Sequence, residues 1–154
     1  MFKFKNLVAV VGIGLFLVSC SHRNKDVDSV SSSTGPGTAA DFDQNVKNTV
    51  YFGFDRYDLI PEARDSLLQV TSWLKMYTSR NITVEGHCDK RGTTDYNLAL
   101  GSRRAESAKS FLVENGVEAS RVTTISYGKE SLISQGDTGQ DHALNRRAHI
   151  IVIE

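Results

Sequence analysis

Two spacings of apolar residues alternate along residues 42–154, and this alternation limits the folds that the chain can adopt. Apolar residues at three- and four-residue spacing predict one helix over 61–77 and a second over 94–114. Short runs rich in β-branched and aromatic residues predict four strands, at 50–55, 82–85, 122–127 and 148–153. The predicted order is βαβαββ. Because each helix has one apolar face to bury, we expect an α+β sandwich with both helices stacked on one face of a four-stranded mixed sheet.

The first 19 residues are predicted to be a signal peptide. Lys3 and Lys5 precede an apolar run over residues 7–18, which as a helix would be about 18 Å long. That length is too short for a bilayer core of about 30 Å. The run ends at Cys20, directly after the small residue Ser19, and this arrangement resembles the lipobox of bacterial lipoproteins. The resemblance implies cleavage before Cys20 and acylation of its thiol; the alternative is an ordinary signal peptide with an incidental cysteine.

Residues 20–41 are predicted to form a flexible tether that begins at the lipidated cysteine. Small and polar residues dominate this segment, and its composition cannot bury enough apolar surface to offset the entropy of ordering it. Ser21 follows the cysteine, and in bacterial lipoprotein sorting a residue other than Asp at this position favours the outer membrane. We therefore expect the folded domain, residues 42–154, to be lipid-anchored at the periplasmic face of the outer membrane.

The charge balance argues against nucleic acid as a partner. The chain has 18 Lys and Arg and 18 Asp and Glu, and removing residues 1–19 leaves 16 basic against 18 acidic residues, a net of −2. A general nucleic-acid-binding protein would be clearly basic.

The chain has two cysteines, Cys20 and Cys88, which could pair in principle. Acylation of Cys20 would leave Cys88 without that partner.

Three spaced segments resemble the OmpA-like peptidoglycan-binding domain family. They are Val84-Glu85-Gly86-His87-Cys88-Asp89 with Arg91-Gly92, then Tyr96-Asn97 with Leu100-Gly101 and Arg104-Ala105, and finally Tyr127-Gly128 with Asn145-Arg146-Arg147. The resemblance covers about residues 45–154, and the opening segment 50–55 together with the lipobox narrows it to the lipoproteins of the Tol-Pal system. One departure is visible, because Cys88 stands where the family usually has Thr or Ala.

The resemblance implies a non-catalytic protein that binds peptidoglycan and tethers the outer membrane to the cell wall. It also implies a role in envelope integrity and in constriction of the outer membrane during cell division. The implied partners are peptidoglycan, the outer membrane through acylated Cys20, and Tol proteins, notably TolB. No cofactor is expected.

The predicted site is a pair of opposite charges. The family binds diaminopimelate of the peptide stem, which ends in a carboxylate and an ammonium on one carbon. Arg104 is expected to take the carboxylate through two parallel hydrogen bonds, and Asp89 to accept from the ammonium or to hold Arg104 in place. The alternative is that Asp89 serves only as a helix cap. The predicted site is completed by residues of the same motifs and of the first strand: Asn97, Asp55, Gly86 and His87.

Two other classes of function are the alternatives to this one. A cell-wall hydrolase or amidase would need an activated nucleophile or a catalytic metal. His87 and Cys88 are adjacent on a strand end and should point to opposite sides, and no metal-ligand spacing links the four histidines with Cys88. We therefore expect neither an enzyme nor a metal site. An OmpA-like peptidoglycan-binding lipoprotein of another envelope or secretion system remains the open alternative.

Overall fold

The computed structural model describes residues 35–153. The predicted signal peptide, Cys20 and most of the predicted tether lie outside this part of the chain. The helices are α1 (Ala39–Asn45), α2 (Pro61–Met76), α3 (Thr94–Glu114) and α4 (Gly139–Asn145), with one 3₁₀ turn at Ala119–Arg121. The strands are β1 (Thr49–Tyr51), β2 (Asn81–His87), β3 (Val122–Gly128) and β4 (Arg147–Ile153). Among these residues, no helix has the length and apolar character needed to cross a membrane.

The four strands form one mixed sheet in the order β1-β4-β2-β3. Strands β2 and β3 are parallel, whereas β4 is antiparallel to both β1 and β2. The core lies between this sheet and the apolar faces of α2 and α3. Its fully buried members include Leu67, Val70, Leu74, Ile82, Val84, Ala105, Ala108, Leu112 and Ile150. Burial of each large apolar side chain in this core contributes about 1.5–3 kcal/mol to the stability of the fold. The mixed sheet and the two long helices confirm the predicted α+β architecture.

Helix α3 approaches the sheet closely because two glycines face each other. A Cβ atom on Gly86 of β2 would overlap the carbonyl oxygen of Gly101 in α3, and one on Gly101 would overlap the Ser126 hydroxyl of β3. The Ser126 hydroxyl also donates to the carbonyl of Leu98 at 2.7 Å. These contacts fix the first turns of α3 over the ends of β2 and β3, where the chain enters the loop of residues 88–93.

The ordered domain begins earlier than the sequence predicted. Thr38 caps α1 by accepting a hydrogen bond from the Asp41 amide at 3.2 Å. The Asp41 carboxylate accepts from the Trp73 indole at 2.9 Å, and Phe42 packs edge-on against the same ring at 4.8 Å between centroids. The prediction that the tether extends to Asp41 is therefore wrong at its C-terminal end, because helix formation is coupled to the Trp73 contact.

A second short helix, α4, lies between β3 and β4, in a segment for which the sequence predicted neither helix nor strand. Thr138 and Asp141 form a reciprocal capping box at the start of α4. The side chain of Asn145 then accepts from the amides of Ile133 and Ser134 at 2.9 and 3.2 Å and donates to the Ser134 carbonyl at 2.7 Å. The Thr-x-x-Asp spacing resembles the capping-box signal, so this helix start was readable in the sequence.

The predicted first strand, 50–55, is also shorter in the structure. It ends at Tyr51, after which the Phe52 amide donates to the Arg146 carbonyl at 2.9 Å. The chain then turns at Asp55, whose φ of 58° places it in the left-handed region. This turn directs residues 53–56 towards α3 instead of continuing the sheet.

His87 is buried at the end of β2. Its ring stacks on Tyr127 of β3 at 5.4 Å between centroids, and its Nε2 atom lies 3.7 Å from the Glu85 carboxylate. Burial, together with the positive charge of Arg147 and the neighbouring His149, lowers the pKa of His87 to about 4. The imidazole is therefore neutral at pH 7.

The close glycine contact leads to a stability prediction. Gly86→Ala should lower the free energy of unfolding by about 2 kcal/mol or more, because the added methyl group meets backbone rather than a movable side chain. The matched control is Gly139→Ala, since nothing lies within 4 Å of a Cβ at Gly139. That control should be neutral or slightly stabilising. Urea unfolding of both variants measures the difference, and equal stabilities would contradict the close approach.

The His87 pKa leads to a second prediction. Its value is about 4 in the folded state against 6.5 for the free side chain, so between these values the unfolded chain binds a proton that the folded chain does not. The contribution of neutral His87 to the free energy of unfolding is therefore complete above pH 6.5. It falls as the pH drops and is lost below pH 4, for a total of up to about 3 kcal/mol. Urea unfolding at pH 7, 5.5 and 4 should show a smaller loss in His87→Phe than in the unsubstituted protein. If the free energy of unfolding depended on pH equally in the two proteins, the lowered pKa of His87 would be contradicted.

Candidate functional site

A cavity of about 220 Å³ lies where the loop after β1, the loop after β2 and the start of α3 meet. Its walls carry three arginines and two aspartates, a concentration of charge that marks it as the candidate site. The lining residues are Phe54, Asp55, Cys88, Asp89, Arg91, Gly92, Tyr96, Asn97, Leu100, Arg104 and Arg146. A wider groove of about 540 Å³ between α2 and α3 is more open and has no buried charged residue in its walls. The smaller cavity is suited to one charged head group rather than to a large ligand.

Arg104 is fully buried and is held mainly by backbone carbonyls. Its Nε donates to the Arg56 carbonyl at 2.9 Å, its Nη1 to the His87 carbonyl at 2.7 Å and its Nη2 to the Gly53 carbonyl at 3.2 Å. Nη1 also lies 3.3 Å from the Cys88 sulfur. Burial lowers the pKa of Arg104, but arginine stays protonated in proteins. The guanidinium is therefore a fixed cation in the wall of the cavity.

These bonds correct the expected geometry of carboxylate binding by Arg104. A guanidinium has five N–H groups, and four of them point at the three carbonyls and the sulfur just described. No described residue takes the remaining Nη2 N–H. Arg104 can therefore offer a ligand one hydrogen bond and its charge, rather than the two parallel bonds that the sequence suggested.

Asp89 is almost fully buried and accepts from two arginines. The Nε and Nη2 atoms of Arg91 lie 3.1 and 2.7 Å from its two oxygens, and the Arg91 amide donates at 3.2 Å. Nη1 of Arg146 lies at 3.3 Å. Burial alone would raise the pKa of Asp89, but the hydrogen bonds from Arg91 and Arg146 outweigh it and the pKa is lowered. Asp89 is therefore an ionised carboxylate at neutral pH.

Two of the roles that the sequence left open for Asp89 do not agree with its contacts. It does not hold Arg104 in place, because its described partners are Arg91 and Arg146. It is also not a helix cap, because Thr93 caps α3 by accepting from the Tyr96 amide at 3.3 Å. The opposite charges of Asp89 and Arg104 thus line one cavity while each is bonded to other groups.

Asn97 and Asp55 also line the cavity and brace its loops. The Asn97 side chain donates to the carbonyls of Arg91 and Thr93 at 2.8 and 2.9 Å, which fixes the loop between β2 and α3. Asp55 accepts a hydrogen bond from the Tyr96 hydroxyl, which joins the loop after β1 to α3. The structure therefore brings together four of the predicted site residues, namely Asp55, Asp89, Asn97 and Arg104.

Gly86 and His87 are not among the lining residues. Gly86 permits the close approach of α3, and the His87 imidazole packs on Tyr127 while its carbonyl accepts from Arg104. Their effect on the cavity is therefore indirect. Cys88 does line it, and its thiol donates to the Asn97 carbonyl at 3.3 Å. Burial raises the pKa of Cys88, so the thiol is neutral.

Seven lining residues were not in the predicted site: Phe54, Cys88, Arg91, Gly92, Tyr96, Leu100 and Arg146. The structure places Arg146 in the cavity, where its Nε donates to the Phe52 carbonyl at 3.0 Å. The presence of Arg91 in the matched motif was the available signal for its role.

Within residues 35–153, no three His, Cys, Asp or Glu side chains are grouped so that they could hold a metal ion.

Comparison with known proteins identifies the family. The model of the OmpA family matches residues 51–146. The peptidoglycan-associated lipoprotein of Agrobacterium fabrum is 38% identical over 148 residues, covering 92% of this chain and 84% of the relative. That of Mesorhizobium japonicum is 45% identical over 113 residues, covering 73% of this chain and 67% of the relative.

A solved structure agrees with these relatives. The crystal structure of the peptidoglycan-associated lipoprotein from Burkholderia pseudomallei superposes with a TM-score of 0.68 at 37% identity, covering 70% of this chain and 91% of the other. The family matched is not one of enzymes. The chain belongs to the OmpA family and, within it, to the family of the peptidoglycan-associated lipoproteins.

Proposed function

We propose that the chain binds peptidoglycan by taking the end of a diaminopimelate side chain into the cavity of Asp89 and Arg104. The observation that carries this proposal is the presence of a buried carboxylate and a buried guanidinium in one small cavity without a bond between them. Such a cavity is complementary to a group that carries both charges close together. The amino and carboxyl groups on the terminal carbon of diaminopimelate meet this requirement.

The carboxylate end of the ligand would lie against Arg104 and Arg146. Arg104 supplies its remaining Nη2 N–H, and Arg146 adds a second cation that also lines the cavity. A hydrogen bond to a charged group contributes about 1.5–3 kcal/mol. Stems that carry lysine lack this carboxylate. We therefore expect them to bind roughly ten- to a hundredfold more weakly.

The ammonium end of the ligand would be bound by Asp89. This carboxylate remains charged because its pKa is lowered, and a buried anion is a strong partner for an ammonium. Asn97 and Asp55 would act mainly by holding the surrounding loops, with Gly86 and His87 contributing through the position of α3 and a backbone carbonyl.

The wider role would follow from anchoring at both ends. By resemblance to the lipoproteins of the Tol-Pal system, acylated Cys20 would hold the chain at the periplasmic face of the outer membrane. One weak site per molecule is sufficient for a tether, because the cell wall repeats its ligand and the lipid confines the protein near it. In this proposal the protein exchanges between peptidoglycan and Tol proteins such as TolB, and so supports envelope integrity and constriction of the outer membrane during division.

Calorimetry with purified muropeptides tests the binding proposal. Full-length protein in detergent should bind a diaminopimelate-type muropeptide roughly ten- to a hundredfold more tightly than the lysine-type form. Asp89→Asn should weaken binding of the diaminopimelate form by a similar factor, because the isosteric amide cannot supply the negative charge. Asp89→Asn is preferred to a deletion at Arg104, whose removal would leave three backbone carbonyls without their donor.

The matched control is Asp58→Asn. Asp58 is an exposed carboxylate paired with Arg56 outside the cavity, so its loss should leave affinity unchanged. Circular dichroism of each variant verifies folding. Equal affinity for the two muropeptides, or no effect of Asp89→Asn, would contradict the proposed charge complementarity.

A further inference from the structure

Arg91 occupies the place on Asp89 that the proposed ligand needs. Its guanidinium donates to both carboxylate oxygens, through Nε at 3.1 Å and Nη2 at 2.7 Å. The same guanidinium lies over the ring of Phe54, with its central carbon 4.3 Å from the ring centroid. Both residues line the cavity. An incoming ammonium and the Arg91 side chain would thus compete for the same two oxygens.

The Arg91 side chain is held weakly compared with its carboxylate partner. The Arg91 side chain is 46% exposed, whereas that of Asp89 is only 5% exposed. Phe54, on which the guanidinium rests, is itself 64% exposed. An ion pair with one solvated partner contributes little to stability, because water replaces the lost hydrogen bonds when it opens. Arg91 can therefore move into solvent without leaving a buried cation.

Asp89 stays supported when the Arg91 side chain leaves. The backbone amide of Arg91 donates to one oxygen at 3.2 Å, and Nη1 of Arg146 lies 3.3 Å from the other. Arg146 is only 15% exposed and is fixed by its bond to the Phe52 carbonyl. The carboxylate would therefore keep its position and its charge, and it would present to a ligand the two oxygens that Arg91 had occupied.

We infer that Arg91 is a displaceable internal competitor, whose guanidinium fills the ammonium position of the cavity until a ligand with its own ammonium replaces it. This inference rests on the proposed binding function and adds a specificity-determining residue to it. A ligand that offers only a carboxylate cannot exchange with Arg91, because it brings no donor for Asp89. Arg91 thereby selects ligands that carry both charges over simple anions attracted by Arg104 and Arg146.

Removal of the competitor tests this inference. Arg91→Gln in full-length protein should bind a diaminopimelate-type muropeptide about two- to fivefold more tightly, since the exposed ion pair no longer has to be broken. The same muropeptide with its side-chain amine acetylated should show no such gain. Arg103→Gln is the matched control, because Arg103 is an exposed arginine that also lies over an aromatic ring, Tyr57, but lines the neighbouring groove. It should leave both affinities unchanged.

The outcomes separate this inference from the proposed function. If the unsubstituted protein binds the diaminopimelate form and Arg91→Gln binds it equally or more weakly, the competitor role is wrong while the binding function stands. If Arg91→Gln tightens the acetylated form as much as the free amine, Arg91 acts as a general charge and not as a competitor for the ammonium. If neither protein binds either muropeptide, the inference and the proposed function fail together.

An NMR measurement gives an independent readout. In the unliganded protein, the Nε–H of Arg91 should exchange with solvent more slowly than that of the exposed Arg103, because the Arg91 Nε–H is bonded to Asp89. Saturation with the diaminopimelate-type muropeptide should abolish the protection, whereas the Nε–H of Arg104 should keep its protection through the Arg56 carbonyl. Continued protection of Arg91 in the saturated complex would overturn the inference.

Discussion

The buried guanidinium of Arg104 is the interaction on which the site depends. It comes from the middle of α3, yet it bonds to carbonyls of Gly53 and Arg56 in one loop and of His87 at the end of a strand. A buried cation that lost these acceptors would be strongly destabilising, because nothing would replace its hydration. Packing of the loop of residues 53–56 and of the end of β2 against α3 is therefore coupled to formation of the charged cavity. The residue that defines the charge of the cavity also holds its walls in place.

Much of the fold was predictable because its long elements carry repeated signals. The bounds of α3 were predicted from apolar spacing, and the helix ends two residues before Gly116, whose φ of 94° suits glycine. The mixed sheet followed from the need of two amphipathic helices for a shared apolar surface. Helices α1 and α4 were missed because seven residues contain too few repeats to show a period. Their formation depends on Trp73 and on a capping box, which are a tertiary and a local contact respectively.

The residues that form the site were more predictable than the hydrogen bonds between them. The resemblance to the OmpA-like family implied that Asp89 and Arg104 belong to one site, but it could not show which arginine bonds to Asp89. That choice depends on the turn of the 88–93 loop, which brings Arg91 back onto a carboxylate two residues earlier. Arg146 approaches from a different part of the chain and is placed by its bond to Phe52. Hydrogen bonds from side chains to backbone carbonyls leave no pattern in the sequence, so they were not predicted.

The position of Cys88 has a consequence for how opening of this region can be observed. The thiol is enclosed between α3 and the loops, with its hydrogen on the Asn97 carbonyl and its sulfur beside Arg104. Reagents that alkylate thiols need both solvent access and the thiolate, and the native packing withholds both. Chemical labelling must therefore wait for a fluctuation that lifts α3 or the loops. The rate at which Cys88 is labelled therefore reports how often the structure around the cavity opens by local unfolding.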